Sequence, residues 1–301
     1  LREYEGLLDR RFGERRTILL LDEIQKLPGW QDQLKALYDA WGLKVKACIS
    51  GSESLFLRRG SKETLAGRLL EYAVEPLSFR EYLDFRGQPT EPVGLYAGEI
   101  ARAFPAYVRS LGFPELVDVT DRDVIRKYVR ESLLRRVLYR DLPGIVRIRD
   151  PAALESLVNL LLEEPGQIWH LADLGRDLGL TRQTASQYVT LLERAFLLRK
   201  LYNYSRSRRK TERKLKRYYP AVISPDLAFR TDDQSRARVL EWVVVTRLRA
   251  EFFWRDARRN EVDAVLTDGR PVPVEVKSGR VDISGILAFL LHSAVETNLH
   301  S

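Results

Sequence analysis

The chain is poor in the residues that build covalent and metal frameworks. Cys48 is the single cysteine among 301 residues, which excludes a disulfide framework and any cysteine-rich metal site. The three histidines, His170, His292 and His300, are too scattered for a zinc site and are assigned no role. No stretch approaches the ~20 uncharged apolar residues of a membrane span, and the highly charged start, Leu1–Arg16, is unlike a signal peptide. No membrane partner is expected, and the expected location is the cytoplasm. Methionine is absent and the chain opens on Leu1. A chain of this length usually begins with Met and carries several more. The expectation is either that methionines are missing from the sequence or that it is a trimmed piece.

What is present is ordinary for a globular protein: 45% hydrophobic and 31% charged residues, which argues against disorder. At about 100–200 residues per domain, the length suggests two or three domains. The net charge of +8 is unevenly spread. Residues 199–217 hold ten Lys/Arg and one acid, Glu212, so that segment is +9 and the other 282 residues sum to −1. A concentrated basic block is a phosphate-binding signal, because Lys and Arg displace counterions from nucleic acid. A solvated basic loop is an equally good reading of the block alone.

Three regions separate by pattern, at 1–95, 96–220 and 221–301. In the first, Thr17–Leu21 (TILLL) reads as a buried parallel strand ending at Asp22-Glu23, Trp30–Trp41 as a helix stopped by Gly42, and Lys44–Ser50 as a second strand. Strand, helix and strand in succession indicate a parallel α/β sheet. Glu75–Phe85 leads into another helix. The middle region is mostly helical, with helical spacing at Ala101–Leu111, Arg122–Tyr139 and Ala152–Glu163. From about 151 to 220 it has the layout of a winged helix-turn-helix. Leu171–Leu178 reads as a short helix and Arg182–Ala195, capped by Thr181, as the next. Asp173–Leu178 is the expected supporting helix, Gly179-Leu180 the turn, and Thr181–Glu193 the recognition helix, which presents Arg182, Gln183 and Gln187 to DNA. Phe196–Tyr204 is a candidate strand, and the basic block falls where the wing belongs, adding Arg206, Arg208, Arg209 and Lys210 as DNA contacts. A helical packing domain is the plain alternative. In the last region Arg238–Ala250 reads as a helix, although its run Trp242–Val245 also suits a strand. Glu251–Arg255, Glu261–Thr267 and Val272–Ser278 read as strands, and Val281–His292 as a closing helix.

The last region carries Glu241, Asp263 and the Glu275-Val-Lys277 triplet. On a strand, positions i and i+2 share a face, and a hairpin from Asp263 to Glu275 sets two carboxylates side by side. In apolar surroundings such a pair is costly unless neutralised, and a hard divalent cation does this through oxygen ligands. Lys277 then activates water or stabilises phosphate charge. A salt-bridged edge strand is the plain alternative. Over Arg238–Leu291 the pattern resembles the PD-(D/E)xK nuclease superfamily, which includes restriction enzymes and archaeal Holliday-junction resolvases. The resemblance implies Glu241, Asp263 and Glu275 as metal ligands, with Glu275 and Lys277 catalytic. Many members of that superfamily only bind.

Ile18–Glu23 (ILLLDE) is an apolar strand ending in two acids, as a Walker B motif requires. Asp22 is the expected Mg²⁺ holder and Glu23 the residue that polarises the attacking water. Ser52, in the Ser50-Gly51-Ser52 cluster, lies where a sensor residue belongs, and Arg68 is a candidate charge-stabilising arginine. The succession LLLDEIQKLPGWQDQLKALYD, ISGSESLFL, LAGRLLEYAVEPLSFREYL, YVRSLGFPELV, YRDLPGI and RNEVDAVL…VEVKSG resembles archaeal and bacterial AAA-type (STAND-like) ATPases with a C-terminal domain of unknown function. In that family a P-loop precedes the Walker B strand, followed by a winged helix and a nuclease-like domain. This sequence departs at one place: it contains no G-x-x-x-x-G-K-[ST]. The expectation is that the P-loop lies upstream of Leu1, with a degenerate ATPase as the alternative. The C-terminus also looks shortened.

The resulting expectation is an α/β multidomain chain. It comprises a partial P-loop-type ATPase core (1–95), a helical region with a winged helix-turn-helix (96–220) and a restriction-endonuclease-like domain (221–301). ATP and Mg²⁺ are the cofactors, and DNA is the partner. ATP hydrolysis, an activity of the full-length protein, is coupled to DNA binding or processing, and a Mg²⁺-dependent nuclease and a homo-oligomer are further options. Two alternatives stand beside it: a DNA-binding regulator whose ATPase and nuclease-like domains are inert, and a structure-selective nuclease with a vestigial ATPase. Replacing Arg206, Arg208, Arg209 and Lys210 by Ala is expected to weaken DNA binding and flatten its salt dependence by ~0.9 in log–log slope for each phosphate no longer neutralised. Unchanged affinity and slope across a salt titration would make the block a solvated loop.

Overall fold

The computed structural model describes residues 16–51, 65, 67–70, 72–143, 147–205, 207, 211, 215–277, 286, 287 and 289. The chain divides into two compact units. One comprises residues 1–74 with 139–148, the other residues 75–138 with 149–301.

In the first unit, β1 (Thr17–Leu21), α1 (Trp30–Trp41) and β2 (Val45–Ile49) form a strand–helix–strand crossover. The two strands pair in parallel, from Thr17 opposite Val45 to Leu21 opposite Ile49. Parallel pairing needs a crossover of this kind, and it brings both strand C-termini to one end. Ile24, Trp30 and Leu65 form the buried cluster, with Leu21, Leu34, Ile49 and Leu69 packed against it.

Most α-helices described in the second unit start at side-chain caps, Val93–Ser110 and Leu171–Asp177 being the exceptions. The first is α2 (Phe79–Phe85), where Ser78 and Glu81 form a reciprocal capping box. Next comes α3 (Val93–Ser110). Then α4 (Arg122–Lys127) begins at Asp121, and the expected continuous helix to Tyr139 instead widens into π-type turns from Tyr128 to Asp141. After α5 (Pro151–Glu163), capped by Asp150, come β3 (Gln167–Ile168), α6 (Leu171–Asp177), α7 (Arg182–Arg194), β4 (Leu198–Asn203) and β5 (Lys216–Pro220). The chain continues through α8 (Pro225–Phe229), α9 (Asp233–Arg247), β6 (Phe252–Arg255), β7 (Glu261–Leu266) and β8 (Val272–Val274). Of the expected closing helix Val281–His292, only Ile286, Leu287 and Phe289 are among the described residues, and they are helical. The run Trp242–Val245 is helical, with Trp242, Val243 and Val245 buried. The Trp242 indole donates to the Pro220 carbonyl at 2.8 Å.

Among the described residues, the six strands of this unit form one mixed sheet, ordered β3-β5-β4-β6-β7-β8. The β4–β6 pairing is parallel (Tyr202 opposite Phe252) and the others are antiparallel. The sheet therefore runs across the boundary at 220/221 expected from the sequence. The expected strand Val272–Ser278 ends at Val274. Beyond it the Val276 amide donates to the Asp263 carboxylate at 2.9 Å, so a side chain takes the backbone donor that the ladder would have used.

Three arginines fasten the chain where this unit begins. Arg247, in the last turn of α9, donates to the carbonyls of Pro76 (2.9 Å) and Leu77 (2.6 Å) and to the Tyr107 hydroxyl (2.9 and 3.1 Å). Arg199 of β4 and Arg249 pair with Glu75 at 3.5 and 3.6 Å. Arg247→Ala takes the donor from the part-buried Pro76 carbonyl and leaves the Leu77 carbonyl with the Tyr107 hydroxyl alone. The expected loss is about 1–3 kcal/mol, which for a unit this large lowers its unfolding midpoint by about 2–4 °C per kcal/mol. A calorimetric scan showing no shift would rule out the clamp.

Candidate functional sites

The parallel β1–β2 pair sets two polar groups together at its C-terminal end. The Ser50 hydroxyl donates to Asp22 Oδ1. The same oxygen accepts the Glu23 amide at 3.0 Å. The Ser50 backbone is held between the strands, its amide on Leu21 O at 2.9 Å and its carbonyl accepting from Ile24 at 3.1 Å. Glu23 adopts φ 52°, a left-handed state that costs a non-glycine residue about 1–3 kcal/mol and is held by the contacts on either side of it. Arg68, expected to stabilise nucleotide charge, pairs with Asp39 at 3.4 Å and lies 5.5 Å over the Tyr38 ring. Ser52 lies outside the described residues. The hydroxyl that meets Asp22 is that of Ser50.

A second cluster centres on Arg217 of β5, whose side chain is only 8% exposed. One guanidinium nitrogen (Nη1) lies 3.3 Å from Glu241 Oε1 of α9 and 3.2 Å from Asp263 Oδ1 of β7. The other (Nη2) lies 3.2 Å from Glu261 Oε1. The Tyr219 hydroxyl donates to Glu241 Oε1 at 2.6 Å, and the guanidinium sits 5.3 Å over the Phe253 ring. Glu261 also pairs with Arg255 at 3.6 Å, and Glu275 with Lys277 at 2.6 Å. The α5–β3 turn approaches closely: a Cβ on Gly166 (φ 82°) would stand 2.9 Å from Glu241 Oε1. Among the described residues, two buried side-chain polar atoms lack a hydrogen-bond partner, Arg217 Nε and Glu275 Oε2.

The expected metal ligands of this region were Glu241, Asp263 and Glu275. Their arrangement does not fit a divalent ion. Both Asp263 oxygens are used, one by Arg217 and one by the Val276 amide. Glu241 Oε1 is shared by Arg217 and Tyr219, and Glu275 is paired with Lys277. Among the described residues no group of three or more His, Cys, Asp or Glu is placed to hold a metal. The charge that the carboxylates require is supplied by a side chain. Arg217, Glu261 and Tyr219 were missed as members of the site, although a signal existed. Glu261 stands two residues before Asp263, and Arg217 two before Tyr219, the same strand spacing that linked Glu275 to Lys277.

Burial pushes the Glu241 carboxyl above its ordinary value, with Arg217 pulling the other way and Asp263 adding repulsion. Burial also raises Glu275, against the Lys277 hydrogen bond, and raises Tyr219 well above an ordinary phenol. Desolvation opposes the Arg217 charge, but Tyr219, Glu241, Glu261 and Asp263 outweigh it and hold the guanidinium above its ordinary value.

On α7, Thr181 accepts the Thr184 amide at 3.1 Å. Ala185, Tyr188, Val189 and Leu192 are buried, while Arg182, Gln183 and Gln187 are exposed. The turn before α7 is tight, since a Cβ on Gly175 would stand 2.8 Å from the Leu180 carbonyl. At its strand positions the basic block is paired or buried. Arg199 pairs with Glu75, Lys200 with Glu193 at 2.7 Å, and Arg217 is buried. Arg206, Arg208, Arg209 and Lys210 lie outside the described residues.

The raised Glu241 carboxyl has a signed consequence. A carboxyl whose folded pKa exceeds its unfolded value favours the folded state at low pH, and that contribution is lost as pH rises from the unfolded value through the folded one. Glu241→Gln removes the titration and keeps an oxygen that accepts from Tyr219. Relative to the wild type, its unfolding midpoint is therefore expected to gain with pH above 4.5. Midpoint-versus-pH curves that run parallel for the two proteins would show that Glu241 titrates normally.

Residues 2–83 match the family model of an AAA domain, which supports an AAA-type, ATPase-like domain at the N-terminus. Residues 102–221 match the model of a domain of unknown function. The chain is 25% identical to an uncharacterized protein of Haemophilus influenzae over 64% of this chain and 47% of that one. It is 26% identical to an uncharacterized protein of Methanocaldococcus jannaschii over 78% and 53%. It is 25% identical to an uncharacterized protein of Mycobacterium tuberculosis over 86% and 58%. The chain thus spans about half the length of the curated relatives it matches. No solved structure matches it. Among the described residues no helix is long and apolar enough to cross a membrane.

Proposed function

We propose that the protein is an AAA-type ATPase whose nucleotide state governs DNA binding by a winged helix in the same chain. The observation that carries the ATPase half is the Asp22–Ser50 pair. It stands at the shared C-terminal end of two parallel strands, where such sheets bind ligands, inside the segment that matches an AAA domain. Asp22 would hold the Mg²⁺ that accompanies ATP, and that ion neutralises phosphate charge. Ser50 orients the Asp22 carboxylate. Glu23 polarises the attacking water. A phosphate loop of the G-x-x-x-x-G-K-[ST] type is not among the 301 residues, and the ATP turnover proposed is that of the whole protein.

The DNA-binding half rests on element order and pairing. Helix α5, strand β3, helices α6 and α7, then strands β4 and β5, paired as β3-β5-β4, follow the winged helix-turn-helix plan. Helix α7 buries one face and exposes Arg182, Gln183 and Gln187 near its N-terminus, the end that enters the major groove in such motifs. For the C-terminal part, the Arg217 network favours a nuclease-like fold that binds without cutting over one that cleaves with Mg²⁺.

Glu23→Gln in the full-length protein is expected to lower ATP turnover by about 10²–10⁴-fold, the usual worth of a positioned base, while ATP still binds. Turnover equal to the wild type in a steady-state assay would remove Glu23 from the mechanism.

A further inference from the structure

We infer that Arg217 is the resident cation of the C-terminal carboxylate cluster, and that its guanidinium excludes a divalent ion from Glu241, Asp263 and Glu275. The inference is independent of the ATPase reading.

The geometry carries it. Four carboxylates, Glu241, Glu261, Asp263 and Glu275, meet three cations, Arg217, Arg255 and Lys277, and every carboxylate has a cationic partner within 3.6 Å. The guanidinium is planar and presents its donors in a fixed fork, so it can span carboxylates on two different elements as a single ion would. It reaches Glu241 on α9 and both Glu261 and Asp263 on β7. A hard cation keeps part of its water shell, and Mg²⁺ binds through as few as one or two carboxylates, but those carboxylates must not already be held by a cation of the protein. Glu275 Oε2 is buried and has no hydrogen-bond partner. Its carboxylate is already held by Lys277 through the other oxygen, Glu241 is held by Arg217 and Tyr219, and both Asp263 oxygens are bound, to Arg217 and to the Val276 amide.

Arg217 also closes the sequence segment that carries the excess positive charge. A residue that composition assigns to phosphate binding is instead turned inward, beneath the sheet order that joins β5 to β7 through β4 and β6.

The test is a titration of the whole 301-residue chain with Mn²⁺ alone, followed by electron paramagnetic resonance of the free ion. Asp263→Asn serves as the control for binding elsewhere. The wild type is expected to show no Mn²⁺ that Asp263→Asn abolishes. Arg217→Gln is expected to gain one Mn²⁺ per chain, lost again in the Arg217→Gln/Asp263→Asn double variant. A wild type that binds one Mn²⁺ dependent on Asp263 overturns the inference. So does a folded Arg217→Gln, checked by circular dichroism, that gains none. Should Arg217→Gln fail to fold, the wild-type titration decides by itself.

Discussion

The second unit depends on one buried guanidinium. Arg217 leaves β5 and meets carboxylates of α9 and β7, elements separated from it in sequence by 24 to 46 residues. Buried ion pairs are weak sources of net stability, because desolvating the charges costs about as much as their attraction returns. Their absence is another matter. Removing one partner leaves charges buried without compensation, at about 3–5 kcal/mol. The pairing therefore specifies arrangement more than it adds stability. Arg217 ties β5, α9 and β7 together through its carboxylate partners, and the Tyr219 hydroxyl and the close Gly166 backbone crowd Glu241.

That constraint fits the continuous sheet. Strand β4 has neighbours on both sides, β5 in antiparallel and β6 in parallel pairing. The β4–β5 hairpin is thus interior to the six-stranded sheet, flanked by β3 and β6. Its base is accordingly committed inward. Arg199 holds Glu75, Lys200 holds Glu193, and Lys200 and Lys216 lie over the Tyr202 ring. A +9 segment in the sequence becomes, at the strand positions, a set of paired and partly buried charges.

The first unit shows how little is needed to aim a carboxylate. Parallel pairing puts the ends of β1 and β2 level, Ser50 takes hold of Asp22, and the left-handed Glu23 turns the chain into the buried Ile24. Each step is local apart from the pairing itself, which is why an apolar run followed by two acids is a readable signal. Arg68 is the counter-example. Its neighbours in sequence do not reveal that Asp39 and Tyr38 of α1 engage it.

The sequence by itself determined many elements: β1 and α1 residue for residue, α5 to α7 within a residue or two, and β4, β6 and β7 nearly so, whereas β5 was not expected as a strand. These are set by apolar spacing and caps, which act within a few residues. It also singled out Asp22, Asp263 and Glu275 as chemically loaded positions. The tertiary structure decided what those positions do. Spacing can show that Glu261 shares a strand face with Asp263, and Arg217 with Tyr219, but not that the two faces meet. That meeting depends on β4 and β6 pairing in parallel between them, an arrangement with no local signature. Where the two faces meet, a cation already in the chain answers the carboxylates, because in a buried setting charge must be matched by the nearest partner of opposite sign, whatever element supplies it.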